Sequence, residues 1–117
     1  TSAAHVYALG DCAEVDGQIL PYVMPIMQAA RALAKPLAGA PPPVVYSAMP
    51  VVVKTPAIPV VVCLPPAVSG AWKVRRDACG IEARFEDESG KLMGYALVGA
   101  AAERKQALTK LLLPVLA

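Results

Sequence analysis

Residues 81–98 have the sequence IEARFEDESGKLMGYALV, and this stretch decides the fold. Its first part alternates charged with apolar side chains, since Phe85 separates Arg84 from Glu86, as expected of a strand with one exposed face. The segment Asp87-Glu88-Ser89-Gly90 is typical of a hairpin loop, because Asp, Ser and Gly favour tight turns. The pattern therefore predicts two antiparallel strands, at about 81–86 and 91–98.

Further elements are predicted on both sides of this hairpin. A helix is expected after it, at about 101–112, with an apolar stripe formed by Leu108, Leu111 and Leu112. Pro114 is expected to end that helix. Antiparallel strands followed by a helix define the α+β class. The additional strands are predicted at about 44–47, 51–54, 59–64 and 72–76.

The amino-terminal part of the chain begins with a second β-prone stretch. Residues 5–9 read His-Val-Tyr-Ala-Leu and stop abruptly at Gly10-Asp11, which predicts a buried strand ending in a tight turn. Residues 12–24 are expected to be irregular, with a turn at Asp16-Gly17.

A helix is predicted next, from Ile26 to about Leu37. Pro25 opens it at a position that tolerates proline, and Gly39 is its expected stop. Ala40-Pro41-Pro42-Pro43 then reads as a stiff, extended linker. We therefore expect two domains, residues 1–40 and residues 44–117.

Composition excludes several classes of protein. The 117 residues are 56% hydrophobic and 17% charged, so the chain can bury a core and is not a disordered tail. A net charge of +2 is too small to indicate nucleic-acid binding. The uncharged runs 36–53 and 55–72 are interrupted by prolines, which break the continuous helix that a membrane span requires. We expect neither a nucleic acid nor a membrane as partner.

Cysteine usage predicts neither a metal site nor a redox dithiol. Cys12, Cys63 and Cys79 are widely spaced, no CxxC occurs, and His5 is the single histidine. Free, buried thiols in a reducing cytoplasm are the expectation, and the first residues do not have the basic region of a signal peptide.

The segment Thr1-Ser2-Ala3-Ala4-His5-Val6-Tyr7-Ala8-Leu9-Gly10-Asp11 resembles the second FAD-binding motif of the pyridine nucleotide–disulfide oxidoreductase superfamily. The resemblance implies that Asp11 accepts hydrogen bonds from the ribityl chain of FAD at the carboxyl end of a strand. Gly10 has no side chain that would obstruct the cofactor. Taken alone, Gly-Asp after a strand is an ordinary turn, so the identification depends on further matches.

The segment from Leu20 to Leu33 supplies the second match, because in the same superfamily a helix that follows the motif points its amino end at the flavin. A helix amino terminus offers unpaired N–H groups and a partial positive charge. The resemblance implies that backbone N–H groups near Tyr22, Val23 and Met24 stabilise negative charge on the reduced ring. An ordinary core helix is the alternative.

The third match is more specific than the flavin motif, because it points to one branch of the superfamily. Residues 48–56, 70–72 and 94–99 resemble the carboxy-terminal domain of bacterial rubredoxin reductases, so the resemblance covers nearly the whole chain. It implies a strand–loop–helix remnant of an FAD-binding Rossmann-like domain, followed by a small antiparallel β-sheet domain with a carboxy-terminal helix.

Lys54 is the only charged residue between Pro36 and Trp72. Lysine is seldom buried without a partner, so its side chain has two interpretations that we weigh equally. In the first, the Lys54 side chain reaches solvent at the end of a strand. In the second, its ammonium group lies beside the flavin or the docking edge and favours an anionic, reduced ring.

A basic cluster near Trp72 is a candidate docking surface for rubredoxin, because rubredoxins are acidic as a family. Lys73 and Arg75 share one strand face by the period of two. A solvated edge strand that is protected by its charges is an equally good explanation. The cluster comprises Lys73, Arg75, Arg76 and Arg84.

The resemblance implies an enzyme that takes hydride from NADH or NADPH onto FAD and passes single electrons to rubredoxin or a similar small acidic protein. The absent CxxC agrees with direct transfer from the flavin. The GxGxxG motif and an NADH-binding domain are missing from this sequence, so the chain by itself is expected to be inactive. The alternatives are a ferredoxin reductase-type electron donor and a non-catalytic docking module for an acidic redox protein.

Overall fold

The computed structural model describes residues 1–34 and 44–116. The described residues form two compact units, one within Thr1–Ser47 and Pro114–Ala117 and the other spanning Ala48–Leu113. We call them the amino-terminal unit and the sheet unit. The linker predicted at 40–43 lies outside the described residues, as do Leu37 and Gly39, the predicted end of the helix.

The amino-terminal unit begins with a turn and not with the strand predicted at 5–9. The hydroxyl of Thr1 donates to the carbonyl of Val6 at 2.7 Å, and His5 has a left-handed φ of 60°. Residues 6–9 are exposed and have no strand partner among the described residues. The prediction of a buried strand was wrong in this structure, because a buried strand pairs its backbone groups with neighbouring strands and residues 1–34 and 44–116 provide none for it.

A two-residue turn and a helix complete this unit. β1 (Glu14–Val15) pairs with β2 (Gln18–Ile19) in antiparallel register, and the predicted turn at Asp16-Gly17 joins them. Both turn residues have positive φ, as a tight hairpin requires. The irregular segment predicted at 12–24 therefore contains a small hairpin.

α1 (Val23–Ala34) starts three residues before the predicted Ile26. Pro25 is buried and lies in the first turn, where a missing N–H removes no helical hydrogen bond. The strand predicted at 44–47 is reduced to one bridge between Tyr46 and Leu116.

The sheet unit is a five-stranded antiparallel sheet, and its strands agree with the predicted ones to within two residues. The strands are β3 (Val51–Val53), β4 (Val60–Cys63), β5 (Gly70–Asp77), β6 (Gly80–Asp87) and β7 (Leu92–Val98). They lie in the order β3-β4-β7-β6-β5, so β3 and β5 form the edges. A bulge between Phe85 and Glu86 shifts the register of the pairing between β6 and β7.

The predicted hairpin loop forms as expected between β6 and β7. The Asp87 carboxylate accepts hydrogen bonds from the Ser89 hydroxyl at 2.6 Å, from the Ser89 amide at 2.9 Å and from the Lys91 amide at 3.0 Å. These bonds, with that of the Ser89 hydroxyl the largest, lower the pKa of Asp87. The side chain of Asp87 therefore closes the loop that its sequence predicted.

The carboxy-terminal helix packs on one face of the sheet. It is a 3₁₀ helix (Gly99–Arg104) that continues as a short α2 (Lys105–Thr109), so the single helix predicted at 101–112 was wrong in type for its first half. Leu108 is buried, whereas Leu111 is 60% exposed because the helix ends two residues before it. The α+β class, with an antiparallel sheet and a carboxy-terminal helix, is confirmed.

Residues of β7 form the centre of the core. Tyr95 and Leu97 are fully buried, and the Tyr95 hydroxyl makes a 2.6 Å hydrogen bond with the hydroxyl of Thr109 on α2. Burial, partly offset by this hydrogen bond, raises the pKa of Tyr95. The same cluster contains the buried residues Ala48, Val61, Cys63, Leu92, Ala101 and Leu108.

Gly94 of β7 is required by a close approach of the chain. A Cβ atom at this position would lie 2.6 Å from the backbone nitrogen of Pro65 and 2.8 Å from the carbonyl oxygen of Cys63. Backbone atoms cannot move aside as the end of a flexible side chain can, so glycine is the residue that fits.

We expect Gly94→Ala to lower the free energy of unfolding by about 1–3 kcal/mol, the usual cost of overpacking. Urea denaturation measures the change. Ala71→Val is the control, because it adds carbon atoms at an exposed strand position and should change stability by less than about 0.5 kcal/mol. Equal stability of Gly94→Ala and the unmodified chain would show that the approach of Pro65 is not a constraint.

Candidate functional site

Gly10 and Asp11 form an exposed turn in the amino-terminal unit. Gly10 has a φ of 89°, and its carbonyl accepts a hydrogen bond from the amide of Ala13 at 3.0 Å. The Asp11 carboxylate is exposed and makes no hydrogen bond or ion pair with any residue in the described ranges. It is therefore available to a ligand, although the predicted strand before it is absent.

The amino end of α1 is also exposed. The amide of Tyr22 donates to the carbonyl of Leu20 at 2.8 Å, so that N–H is already used. The amides of Val23 and Met24 precede the first helical hydrogen bond and have no acceptor among residues 1–34 and 44–116. Two of the three predicted N–H groups are free to bind an anionic or electron-rich group.

This part of the chain fits some contacts of an FAD molecule and not others. An exposed carboxylate suits the hydroxyls of a ribityl chain, and two free amides at a helix start suit the pyrimidine edge of a flavin. Beside Gly10 lies a small hollow, lined by Leu20, Pro25, Ile26 and other side chains. Nothing in the described ranges encloses a pyrophosphate.

Lys54 follows the last residue of β3 and is exposed. It has no carboxylate partner among the described residues. The hydroxyl of the neighbouring Thr55 donates a hydrogen bond to the carbonyl of Ile58, and this bond stabilises the loop that follows. The side chain reaches solvent in the sheet unit, and its predicted role beside a flavin or a docking edge stays a prediction.

The structure divides the predicted docking cluster between the two faces of the sheet. Lys73 is paired across the strands with Arg84, and Arg75 with Glu82, so these residues share the face on which the helix packs. Arg76 lies on the opposite face. The four cations therefore do not form one surface.

The three cations on the helix-covered face each contact a carboxylate. Lys73 contacts Glu86 at 2.6 Å and Arg75 contacts Asp77 at 3.3 Å. Arg84 contacts the buried Glu82 at 2.7 Å. This arrangement supports the alternative of an edge strand protected by charge, since β5 is an edge of the sheet.

Glu82 was not singled out from the sequence, yet it is the single carboxylate buried among the described residues. It accepts hydrogen bonds from Arg84 of the same strand and from Arg104 of the 3₁₀ helix, both at 2.7 Å. Burial alone would raise the pKa of Glu82, but the hydrogen bonds and charges of Arg104 and Arg84 outweigh burial and lower it. The sequence spacing of two between Glu82 and Arg84 could have indicated their contact, whereas the contact with Arg104 spans 22 residues.

We expect Glu82→Gln to lower the free energy of unfolding by about 1–3 kcal/mol at neutral pH, because it removes the charge that two arginines share. A depressed folded-state pKa contributes stability above the ordinary carboxyl pKa of about 4.3, and that contribution is lost as pH falls through the folded value. The variant should therefore lose less stability than the unmodified chain on acidification.

Urea denaturation at several pH values measures both effects. Glu88→Gln is the matched control, because Glu88 is exposed in the hairpin loop and has no ion pair within the described ranges. If the two variants showed the same stability and the same acid profile, the Glu82 ion pairs would not stabilise the fold.

The face of the sheet opposite the helix is apolar, and we call it the open face. One row of it crosses all five strands and contains valine and alanine alone. Val51 and Val74 at its ends are 37% and 58% exposed. The row is Val51, Val62, Ala96, Ala83 and Val74.

A neighbouring row of the open face ends in the fourth predicted docking cation. It contains Val53, Val60, Val98 and Ile81, followed by Arg76. Arg76 has no carboxylate partner in the part of the chain that the structure describes.

Trp72 lies on the open face, edge-to-face against Phe85 with ring centroids 5.4 Å apart. The packing role expected for Trp72 is thus present, but 44% of the residue remains exposed. Large exposed aromatic rings are a feature of protein-binding surfaces.

The cysteines agree with the expectation at one position only. Cys63 is buried, and burial raises the pKa of its thiol. Cys12 and Cys79 are exposed, so the expectation of buried thiols was wrong for them. Both lie in turns, where no packed element covers them.

Within residues 1–34 and 44–116, no group of three His, Cys, Asp or Glu side chains is placed to hold a metal ion. None of the helices in these ranges combines the length and the apolar character that crossing a bilayer would demand.

A five-stranded antiparallel sheet with a helix on one face and an apolar open face defines a small α+β domain. Comparison with known families identifies it. Residues 43–112 match the family described as the rubredoxin binding C-terminal domain, and the chain belongs to that family.

Curated relatives extend the match to the amino-terminal unit. The chain is 55% identical over 113 residues to a rubredoxin-NAD(+) reductase of Alcanivorax borkumensis, and 50% identical over 113 residues to one of Acinetobacter baylyi. These alignments cover 94% and 95% of the chain but 29% of each relative.

A nitric oxide reductase FlRd-NAD(+) reductase of Aeromonas salmonicida is 42% identical over 102 residues, which is 85% of the chain and 26% of that relative. The chain thus spans less than a third of the length of the curated relatives it matches.

Proposed function

We propose that this chain is the carboxy-terminal part of an NAD(P)H-dependent flavoprotein that passes electrons through FAD to rubredoxin in the cytoplasm. The observation that carries the proposal is the family match over residues 43–112, which coincides with the sheet unit. The names of the relatives with 55% and 50% identity support the reaction.

In this proposal residues 1–40 are the carboxy-terminal remnant of an FAD-binding Rossmann-like domain, and residues 44–117 are the rubredoxin-binding domain. Bound FAD would supply the conversion between two-electron and single-electron transfer. Gly10 would admit the cofactor, and Asp11 would accept hydrogen bonds from its hydroxyls. The amides of Val23 and Met24 would donate to the ring, with Tyr22 beside them.

The sheet unit has the charge that an acidic electron-transfer protein requires. Residues 48–113 contain nine Lys and Arg against six Asp and Glu. A net positive domain attracts a negatively charged partner and accelerates the encounter. Lys54 and Arg76, which have no carboxylate partner among the described residues, are the candidate contributors, whereas Lys73, Arg75 and Arg84 of the predicted cluster are already paired.

We expect the 117-residue chain to purify without flavin and to bind added FAD too weakly for a stable complex. Asp11 and two amides provide few contacts, and the glycine-rich loop that holds a pyrophosphate at a helix start is not in this sequence. Visible absorbance and equilibrium dialysis with FAD test this. A yellow, stoichiometric complex of the chain alone would contradict it.

A version joined to the upstream domains of a relative provides the positive control for the cofactor contact. There, Asp11→Asn should weaken FAD binding, measured by flavin release. Glu14→Gln, which changes an exposed carboxylate three residues away on β1, should leave flavin retention unchanged.

We expect the chain to bind rubredoxin, with a dissociation constant that rises as salt is added, because a Debye length of about 8–10 Å at 0.10–0.15 M screens surface charges. Isothermal titration at low and at high salt measures the effect. Ferredoxin, the acceptor of the alternative electron donor, is titrated in parallel. Tighter binding of ferredoxin than of rubredoxin would favour that alternative.

A further inference from the structure

The two strands at the β5 edge carry their apolar side chains on the side of the sheet that the helix does not cover. On β6, Ile81 and Phe85 lie on the open face, whereas Glu82 lies on the helix-covered face. On β5, Trp72 and Val74 likewise lie on the open face. An antiparallel sheet with one wet face places its polar residues on that face. The reversed pattern indicates that another surface covers the open face.

The size of the open face fits a transient protein partner. Five strands about 4.8 Å apart and about five residues of 3.3 Å each give an area on the order of 400 Å². A stable complex or dimer buries about 800 Å² per partner, whereas weak electron-transfer complexes lie at the low end of interface size. A second copy of this chain would therefore be held poorly on this face.

The charge on the rim of the open face favours an acidic partner. Arg76 ends the row that begins at Val53 at the other edge of the sheet. Arg76 is not paired with a carboxylate of the described residues. The carboxylate at the opposite end of this face, that of Asp87, is held by hydrogen bonds within its own loop. One end of the apolar surface is thus bordered by a positive charge that has no carboxylate partner in the described ranges.

We propose that the open face is the surface on which rubredoxin docks, an inference that rests on the proposed function. Trp72 and Val74 contact an apolar patch of the partner, and Arg76 faces its carboxylates. Trp and Arg are the residues that most often dominate binding energy at interfaces, and both are found here in exposed positions. The basic residues Lys73, Arg75 and Arg84, paired on the other face, lie outside this surface.

Arg75 and Arg76 provide a matched pair of variants, because they are adjacent on one strand and point to opposite faces. We expect Arg76→Ala to raise the dissociation constant for rubredoxin about fivefold or more. Arg75→Ala removes the same charge and should change it less than about twofold. Val74→Asp, at a position that is 58% exposed, should raise it about tenfold or more, because it places an anion in the apolar contact.

Trp72 is the only tryptophan of the chain, so fluorine-labelled tryptophan reports on the open face directly. Its fluorine NMR signal should shift on addition of rubredoxin and stay constant when the chain alone is concentrated. Thermal melts of each variant confirm that it is folded. Analytical ultracentrifugation tests for a dimer.

The outcomes separate this inference from the proposed function. Absence of rubredoxin binding by the unmodified chain would overturn the proposed function and the docking surface together. Binding that Arg75→Ala weakens more than Arg76→Ala, with an unchanged Trp72 signal, would overturn the open face alone and place the partner on the helix-covered face. A Trp72 signal that shifts with chain concentration, together with a dimer, would assign the open face to a second copy.

Discussion

The sheet unit depends on the burial of Tyr95 and Leu97 on β7. This strand lies in the middle of the sheet and is hydrogen-bonded to β4 on one side and to β6 on the other. Tyr95 contributes a large buried ring, and its hydroxyl is hydrogen-bonded to Thr109. Burial of the side chain therefore does not leave its polar group without a hydrogen-bond partner. The same hydrogen bond also connects the carboxy-terminal helix to the sheet.

The strands could be predicted because their signals are local. The alternation of Arg84 and Glu86 with apolar residues and the loop at Asp87 depend on neighbours within a few positions, and the structure reproduces both. Local neighbours could not decide whether residues 5–9 form a strand, because β propensity yields a strand only where a partner strand exists. The early start of α1 at Val23 likewise reflects its surroundings, which a periodic pattern does not contain.

The composition of the candidate site was predictable, but its geometry was not. Period two places Lys73 and Arg75 on one side of a strand, yet it does not tell which side the helix will cover. That choice depends on Tyr95 and Leu97, two strands away, and it places Lys73, Arg84 and their carboxylate partners on the helix-covered side. The ion pair between Glu82 and Arg104 joins a strand to a helix 22 residues later, beyond any spacing rule.

Pairing changes what the cations of β5 and β6 can contribute to association. The charges of a cation and an adjacent carboxylate largely cancel, so the pair produces almost no electric field beyond the Debye length of about 8–10 Å. Its contribution to steering an approaching protein is therefore small. Pairs such as Arg75 with Asp77 are also too exposed to add much stability. The charge that attracts an acidic protein must therefore come from cations that have no carboxylate partner in the described ranges, and Arg76 is one of them. Because Arg76 borders the open face, its attraction and the apolar contact are directed to the same surface.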